Sequence, residues 1–266
     1  AISYAMIRQG RRSLAGAGKT AVHDIASPIG GGGGSKVECA YSFGHEMRGL
    51  SPCGRRAVES GQVQVVAEIS NGGYQWRFLA GMMGVPFIPA RNLLGTDTFA
   101  KSACKMARDP WSGKPVVLIP AAYPDVALLH VPRCDRYGNA QIDGILVEDF
   151  ELARAARRVI LTTEEIVDEE FIRCNPRLTA IPYYVVDAAC LVPFGAHPAQ
   201  MPYRYFFDEP HIAEWLSLSK TEEGTREYMA RYVLGVAGHD EYLALVGGLP
   251  RMRALQELEE GRLPLF

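Results

Sequence analysis

The chain has 266 residues, 48% of them hydrophobic and 22% charged, with a formal net charge of -2 at pH 7. This length can bury a substantial core, and the balanced charge excludes a basic face for nucleic acid or membrane headgroups. The six cysteines form no C-x-x-C pair, which argues against a zinc site, and we expect no disulfide framework in a chain of this size without a secretion signal. With no 18-residue apolar run and no signal-peptide pattern at the start, we expect a cytoplasmic protein.

Short apolar runs alternate with helical patterns over the first 191 residues. In chain order we predict a helix over 2–9, a strand over 35–42, a helix over 54–60, a strand over 62–69, a helix over 74–83, strands over 87–88, 115–119 and 126–130, a helix over 148–158, strands over 159–161 and 185–191, and helices between 212 and 246. The alternation predicts an α/β fold with an open, mainly parallel sheet, flanking helices and a helical C-terminal appendage. Without a repeat or clear linker, we expect one domain over 1–266.

The segment Ala15 to Thr20, AGAGKT, is similar to the end of a phosphate-binding loop. That loop needs a glycine five residues before Gly18, where Ser13 stands, and it needs a preceding apolar strand. We therefore favour a glycine-rich turn after the first helix over a nucleotide site.

Two loops that each join a strand to a helix are candidates for ligand binding, because ligands bind at the carboxyl ends of strands in open α/β sheets. The first, YSFGHEMRGLSP, places His45 beside Glu46, a pair that could bind a carboxylate or move a proton. The second, SNGG, places Asn71 before a helix N-terminus, which offers free N–H groups. A solvated loop and an Asn–Gly turn are the respective structural alternatives.

A third candidate is VPFIPARNLLGTD, where two prolines bracket a short strand and Arg91 follows it. Arg91 could clamp a carboxylate or pair with Asp97. We interpret Asp135 to Asn139 as a tight turn between strands and the aromatic stretch from Tyr203 as core or interface. The histidines at 23, 197, 211 and 239 lack metal-ligand spacing, so we expect structural roles.

Several segments resemble the α subunits of family I CoA-transferases, above all the glutaconate type. They include SKVECAYSFGHE, VPFIPARNLLGTD, VALLHVPRCDRYGNAQIDG, VPFGAHPAQMPYRYFFDEP and GHDEYL, and the similarity extends over about residues 35–247 in the family's order. In this family a strand and a G-G-F loop precede the first helix, and we expect that strand to be missing here. The resemblance implies an α/β subunit whose active site lies at the interface with a β subunit.

The resemblance also implies a mechanism. A β-subunit glutamate attacks an acyl-CoA, giving an acyl–glutamyl anhydride and then a glutamyl-CoA thioester. CoA is a substrate, no other cofactor or metal is implied, and an α2β2 assembly is expected. The substrate-binding residues carried over by the resemblance, together with those suggested by the loops, are Ser42, Gly44, His45, Glu46, Asn71, Gly72 and Arg91.

Related hydrolases of steroid ring degradation use a glutamate at the position of Asn71. An amide is neither nucleophile nor base, so this chain is expected to carry no catalytic residue of its own. The alternatives that stay open are a subunit of a CoA-thioester C–C bond hydrolase and a non-catalytic binding homologue.

Overall fold

The computed structural model describes residues 1–42, 44–45 and 49–262. The strands are β1 (Leu14–Ala21), β2 (Gly34–Ser42), β3 (Gly44–His45), β4 (Gly49–Leu50), β5 (Gln64–Glu68), β6 (Phe87–Ala90), β7 (Lys105–Arg108), β8 (Pro115–Pro120), β9 (Ala127–Val131), β10 (Arg133–Asp135), β11 (Ala140–Gln141), β12 (Val159–Thr163), β13 (Ile166–Val167), β14 (Thr179–Ile181) and β15 (Ala188–Leu191). The α-helices are α1 (Ile2–Arg8), α2 (His23–Gly30), α3 (Pro52–Glu59), α4 (Asn71–Met83), α5 (Thr98–Lys101), α6 (Asp149–Ala155), α7 (Glu169–Cys174), α8 (Glu209–Leu218), α9 (Glu222–Met229), α10 (His239–Leu245) and α11 (Gly248–Glu259). Short 3-10 turns at Pro176–Leu178 and Tyr183–Val185 and a π-helix at Ala230–Leu234 complete the elements.

Parallel strand pairing dominates the two sheets that organise the molecule. One sheet has the order β1-β2-β5 and the other the order β15-β12-β9, and every pairing within them is parallel. Helices α2, α3 and α4 alternate with the strands of the first sheet along the chain. The predicted α/β class with a mainly parallel sheet and flanking helices is confirmed.

Shorter sheets accompany the parallel ones. Strands β6, β8 and β7 form an antiparallel sheet, and β13-β10-β11-β14 form a mixed sheet that contains the predicted tight turn around Asp135. Asp135 accepts hydrogen bonds from the backbone N–H groups of Tyr137 and Asn139, which closes that turn. Within the described residues, the strands are therefore divided among several small sheets rather than joined in one open sheet.

The AGAGKT segment lies in strand β1, so the prediction of a glycine-rich turn was wrong. Its backbone pairs in parallel with β2 along most of its length. The small residues let α2 pack closely against β1, since a Cβ at Gly16 would lie 3.2 Å from Ile25 Cδ1 on α2. A paired strand is also not the loop that a phosphate site of this type requires.

The C-terminal helices are part of the main hydrophobic core. Trp215 on α8, Tyr228 on α9 and Tyr242 on α10 are buried in one cluster with Tyr4 and Val37 of the N-terminal half. The predicted helical C-terminal region is confirmed, and it packs directly on α1 and α2. Among the described residues, no helix is both long and apolar enough to cross a membrane.

Candidate functional site

The loops that follow β2 and β5 lie at the same edge of the first parallel sheet. The two strands are neighbours and run in the same direction, with Cys39 opposite Glu68 near their carboxyl ends. Ser42 ends β2, and Gly44 and His45 form β3, which pairs with β4 in a short antiparallel ladder. The predicted residue Glu46 lies outside the described residues. This edge is where an open α/β sheet binds ligands.

Gly44 is in close contact with a tyrosine that the sequence did not point to. A Cβ at Gly44 would lie 2.1 Å from the hydroxyl oxygen of Tyr41, so the phenol ring occupies the space that a larger residue would need. Tyr41 as a whole is 39% exposed, so this residue also lies at the accessible edge of the sheet. Only glycine is compatible with this placement of the ring.

Helix α4 presents its N-terminus at the same edge. Ser70 caps it: the Gly73 N–H donates to Ser70 Oγ over 3.2 Å, and the Tyr74 N–H donates to the Ser70 carbonyl over 2.8 Å. Asn71 and Gly72, both exposed, form the first turn. The helix begins three residues before the predicted start, so these two residues lie inside it rather than in a turn. Backbone N–H groups of a first turn lack helical partners and favour an anion.

Two side chains fix α4 to the strands behind the site. Arg77, 7% exposed, forms an ion pair with Glu38 on β2, and its Nε donates to the Pro120 carbonyl at the end of β8 over 3.3 Å. The Tyr74 hydroxyl donates to the Glu38 carbonyl over 3.3 Å. The helix ends at Gly84, which has a φ of 69° and is therefore in the left-handed conformation that favours glycine.

The loop after β6 approaches the start of α4. Arg91, exposed, is the first residue beyond this strand, and the Asn92 amide next to it donates to Ser70 Oγ over 2.8 Å. The pKa of the Asp109 carboxyl is lowered mainly by the Ser112 hydroxyl and to a lesser extent by the charge of Arg91, so the Arg91 guanidinium acts on this neighbouring loop as well. The backbone thus brings Arg91 into the neighbourhood of Asn71 and Gly72.

A second polar cluster lies at the carboxyl ends of β9 and β12. His130 Nδ1 is 2.8 Å from Thr162 Oγ1, and its Nε2 is 2.5 Å from Glu164 Oε1. Glu164 also accepts hydrogen bonds from the Tyr205 hydroxyl and the Phe194 N–H. Burial acts to raise the pKa of Glu164, but these hydrogen bonds outweigh it and the pKa is lowered. Because the partners satisfy one another, we assign this cluster a structural role.

The buried histidines are also held by partners. His197 lies 2.7 Å from the Tyr242 hydroxyl and 3.0 Å from Asp208 Oδ2, while Arg251 pairs with both oxygens of Asp208. His211 Nε2 lies 2.7 Å from the Tyr228 hydroxyl. These contacts agree with the structural roles expected for His197 and His211.

Comparisons of the sequence and of the structure with known proteins point to the same family. The family model described as Coenzyme A transferase matches residues 1–190. An uncharacterized protein of Archaeoglobus fulgidus is 59% identical over 261 residues, a match that covers 98% of this chain and 58% of that protein. The chain therefore spans little more than half of that relative.

Two further relatives have described activities. The A subunit of glutaconate CoA-transferase from Acidaminococcus fermentans is 30% identical over 92% of this chain and 81% of its own length. The crystal structure of that glutaconate coenzyme A-transferase matches with a TM-score of 0.90 over 96% of this chain and 85% of the other. A cholesterol ring-cleaving hydrolase IpdA subunit of Rhodococcus jostii is 28% identical, over 72% of this chain and 67% of its own length.

Proposed function

Because this chain belongs to the Coenzyme A transferase family, we propose that it is the α subunit of a heteromeric enzyme that moves CoA between an acyl-CoA and a carboxylic acid. A β subunit supplies the glutamate nucleophile, and the two assemble as α2β2. The similarity to the glutaconate enzyme over nearly the whole chain supports the choice of a transferase α subunit.

The observation that carries most weight is the amide at the start of α4. Asn71 stands exposed in the first turn, at the carboxyl end of β5. A carboxylate there could attack a thioester or remove a proton, whereas an amide can only donate and accept hydrogen bonds. In this position Asn71 is suited to holding a substrate for a nucleophile that comes from another chain.

The groups around Asn71 favour an acid with a second polar end. The backbone N–H groups of Asn71 and Gly72, the Asn71 amide and the Arg91 guanidinium are all hydrogen-bond donors that match a carboxylate. Ser42 at the end of β2, and Gly44 and His45 in β3, lie at the same edge of the sheet. We assign carboxylate contact to His45, Asn71 and Arg91, and the remaining pocket contacts to Ser42, Gly44, Glu46 and Gly72.

CoA is a substrate in this scheme, and no organic cofactor or metal takes part. The partner's glutamate attacks the thioester carbonyl, which expels CoA as a thiolate and leaves an acyl–glutamyl anhydride. The thiolate then attacks the glutamyl carbonyl of the anhydride, which releases the first acid and leaves CoA on the glutamate. A second carboxylate reverses these steps: it displaces the CoA thiolate from the glutamate, and the thiolate then attacks the new acyl carbonyl, which frees the glutamate and gives the CoA thioester of the second acid.

An exchange assay on the assembled complex tests the proposal. The chain is co-expressed and co-purified with a candidate β subunit from the same organism, and CoA transfer between an acyl-CoA and acetate is measured. We expect transfer that disappears when the partner's motif glutamate is replaced by alanine. Release of free acid without an acceptor would instead indicate the thioester hydrolase, and a stable complex without either reaction would indicate the non-catalytic homologue.

A further inference from the structure

Asn92 connects the two halves of the proposed acid site. Its Nδ2 donates to Ser70 Oγ over 2.8 Å, and the same oxygen accepts the Gly73 N–H that caps α4. The contact is tight, since a Cβ at Gly73 would lie 2.7 Å from Asn92 Nδ2. Asn92 also follows Arg91 directly in the chain. One amide therefore links the loop that carries Arg91 to the helix turn that carries Asn71.

The carbonyl end of this amide has no partner in the part of the chain that the structure describes. Asn92 Oδ1 is shielded from solvent and accepts no hydrogen bond from the described residues. A buried acceptor without a donor lowers stability, and an apolar side chain of similar shape avoids that cost. The hydrogen bond from Nδ2 adds stability and the unpaired Oδ1 removes at least as much, so stability alone does not favour asparagine over leucine here. Buried polar groups that lack a hydrogen-bond partner, and so lower stability, are expected mainly at functional sites.

We propose that Asn92 is a positioning residue, which acts through Ser70 to hold the first turn of α4 in register with Arg91 for binding the acid substrate. This inference rests on the proposed function, because it assumes that the acid binds at Asn71 and Arg91. Asn92 touches the capping serine and not the reacting atoms. Its loss loosens the turn and weakens acid binding, while the covalent steps on the partner's glutamate continue.

The variant Asn92→Leu separates positioning from stability. In the complex we expect the KM for the acid to rise about fivefold to tenfold, as for the loss of one or two hydrogen bonds, with kcat changed less than twofold. The melting temperature of the chain should stay equal or rise. Asn175→Leu, at an exposed asparagine beyond α7, is the matched control and should change neither parameter. An unchanged KM in Asn92→Leu, or a fall in melting temperature that accounts for the loss of activity, overturns the proposal.

A double-mutant cycle with Ser70→Ala tests the route of the effect. If Asn92 acts through Ser70, the double variant should have about the KM of the more impaired single variant. Multiplied effects of the two single substitutions would contradict that route.

Amide hydrogen exchange on the chain without its partner gives an answer that does not need activity. Asn92→Leu should speed exchange of the Gly73 amide several-fold and leave the amides of the last turn of α4 unchanged. Unchanged exchange at Gly73 would refute the proposal even if the complex transfers CoA. Faster exchange at Gly73 in a complex that transfers nothing would retain the positioning contact and reject the proposed function.

Discussion

Asn71 is the residue whose replacement most directly probes acid binding. In Asn71→Ala the substrate carboxylate loses one amide donor, and a hydrogen bond to a charged group contributes about 1.5–3 kcal/mol. We expect the KM for the acid to rise at least about tenfold in the complex. Stability should change little because the side chain is exposed. Steady-state kinetics with varied acid measure the effect, and an unchanged KM would remove Asn71 from the site.

The contacts of single residues were predictable only where they follow from chain order. Asn71 and the loop after β2 could be placed together, since both follow neighbouring parallel strands. The contact of Asn92 with Ser70 depends on how two separate loops pack, and the contact of Tyr41 with Gly44 depends on how β3 lies against the end of β2. The sequence pattern encodes neither arrangement. The directions of the side chains in the proposed site could not be predicted from the sequence for the same reason.

At the scale of elements, the position of α4 depends on the buried arginine behind it. Replacing Arg77 by alanine leaves Glu38 and the Pro120 carbonyl without their donor, and breaking such a buried pair costs about 3–5 kcal/mol. Glu38 is partly exposed, so we expect a loss near about 3 kcal/mol. Denaturant unfolding of the isolated chain measures it.

The exposed pair of Arg55 and Glu59 on α3 provides the matched control for Arg77. These two side chains are more than 60% exposed, and water and salt screen such a pair so that it contributes little to stability. Arg55→Ala should therefore leave the free energy of unfolding nearly unchanged. Equal losses in the two variants would show that Arg77 does not anchor α4.

Strand β1 and the start of α4 show why some elements escape prediction. Glycine and alanine have low strand propensity, so the sequence of β1 resembles a turn until its parallel pairing with β2 is known. Two glycines in the first turn of α4 hide its start in the same way, because glycine disfavours helix. In both places tertiary contacts outweigh local preference. Strands rich in β-branched residues, such as β5 and β12, were predictable from sequence alone.

At the scale of the whole molecule, the α/β class followed from the alternation of elements, but the packing of the C-terminal helices did not. Trp215 and Tyr228 lie against α1 and α2, about 200 residues away in the chain. Such contacts between distant segments leave no periodic pattern in either segment. The shared core implies that the N-terminal and C-terminal helices contribute to one unfolding transition.

The buried histidine in this core predicts a loss of stability in acid. Burial, assisted by the charge of His197, lowers the pKa of His211 to about 4, below its ordinary value of 6.5. The unfolded chain therefore binds the proton more strongly, so the stability from neutral His211 is complete above pH 6.5. It falls as the pH drops towards 4, by up to about 3 kcal/mol.

Unfolding by denaturant between pH 7 and 4 tests this dependence in wild type and in His211→Gln. Asp208, whose pKa is lowered, and His239, whose pKa is lowered to about 4, contribute to the acid loss in both proteins. We expect the variant to have a smaller decrease than wild type over that range. Parallel curves for the two proteins would show that His211 does not titrate in this way.

The position of the covalent intermediate would show whether the partner carries the nucleophile while this chain shapes the acid site, as we propose. The complex is incubated with acyl-CoA, the glutamyl-CoA thioester is trapped by borohydride reduction, and both chains are analysed by mass spectrometry. We expect a glutamate of the β subunit to be converted to the corresponding alcohol, with this chain unmodified. The same conversion at a carboxylate of this chain would show that this chain carries the nucleophile.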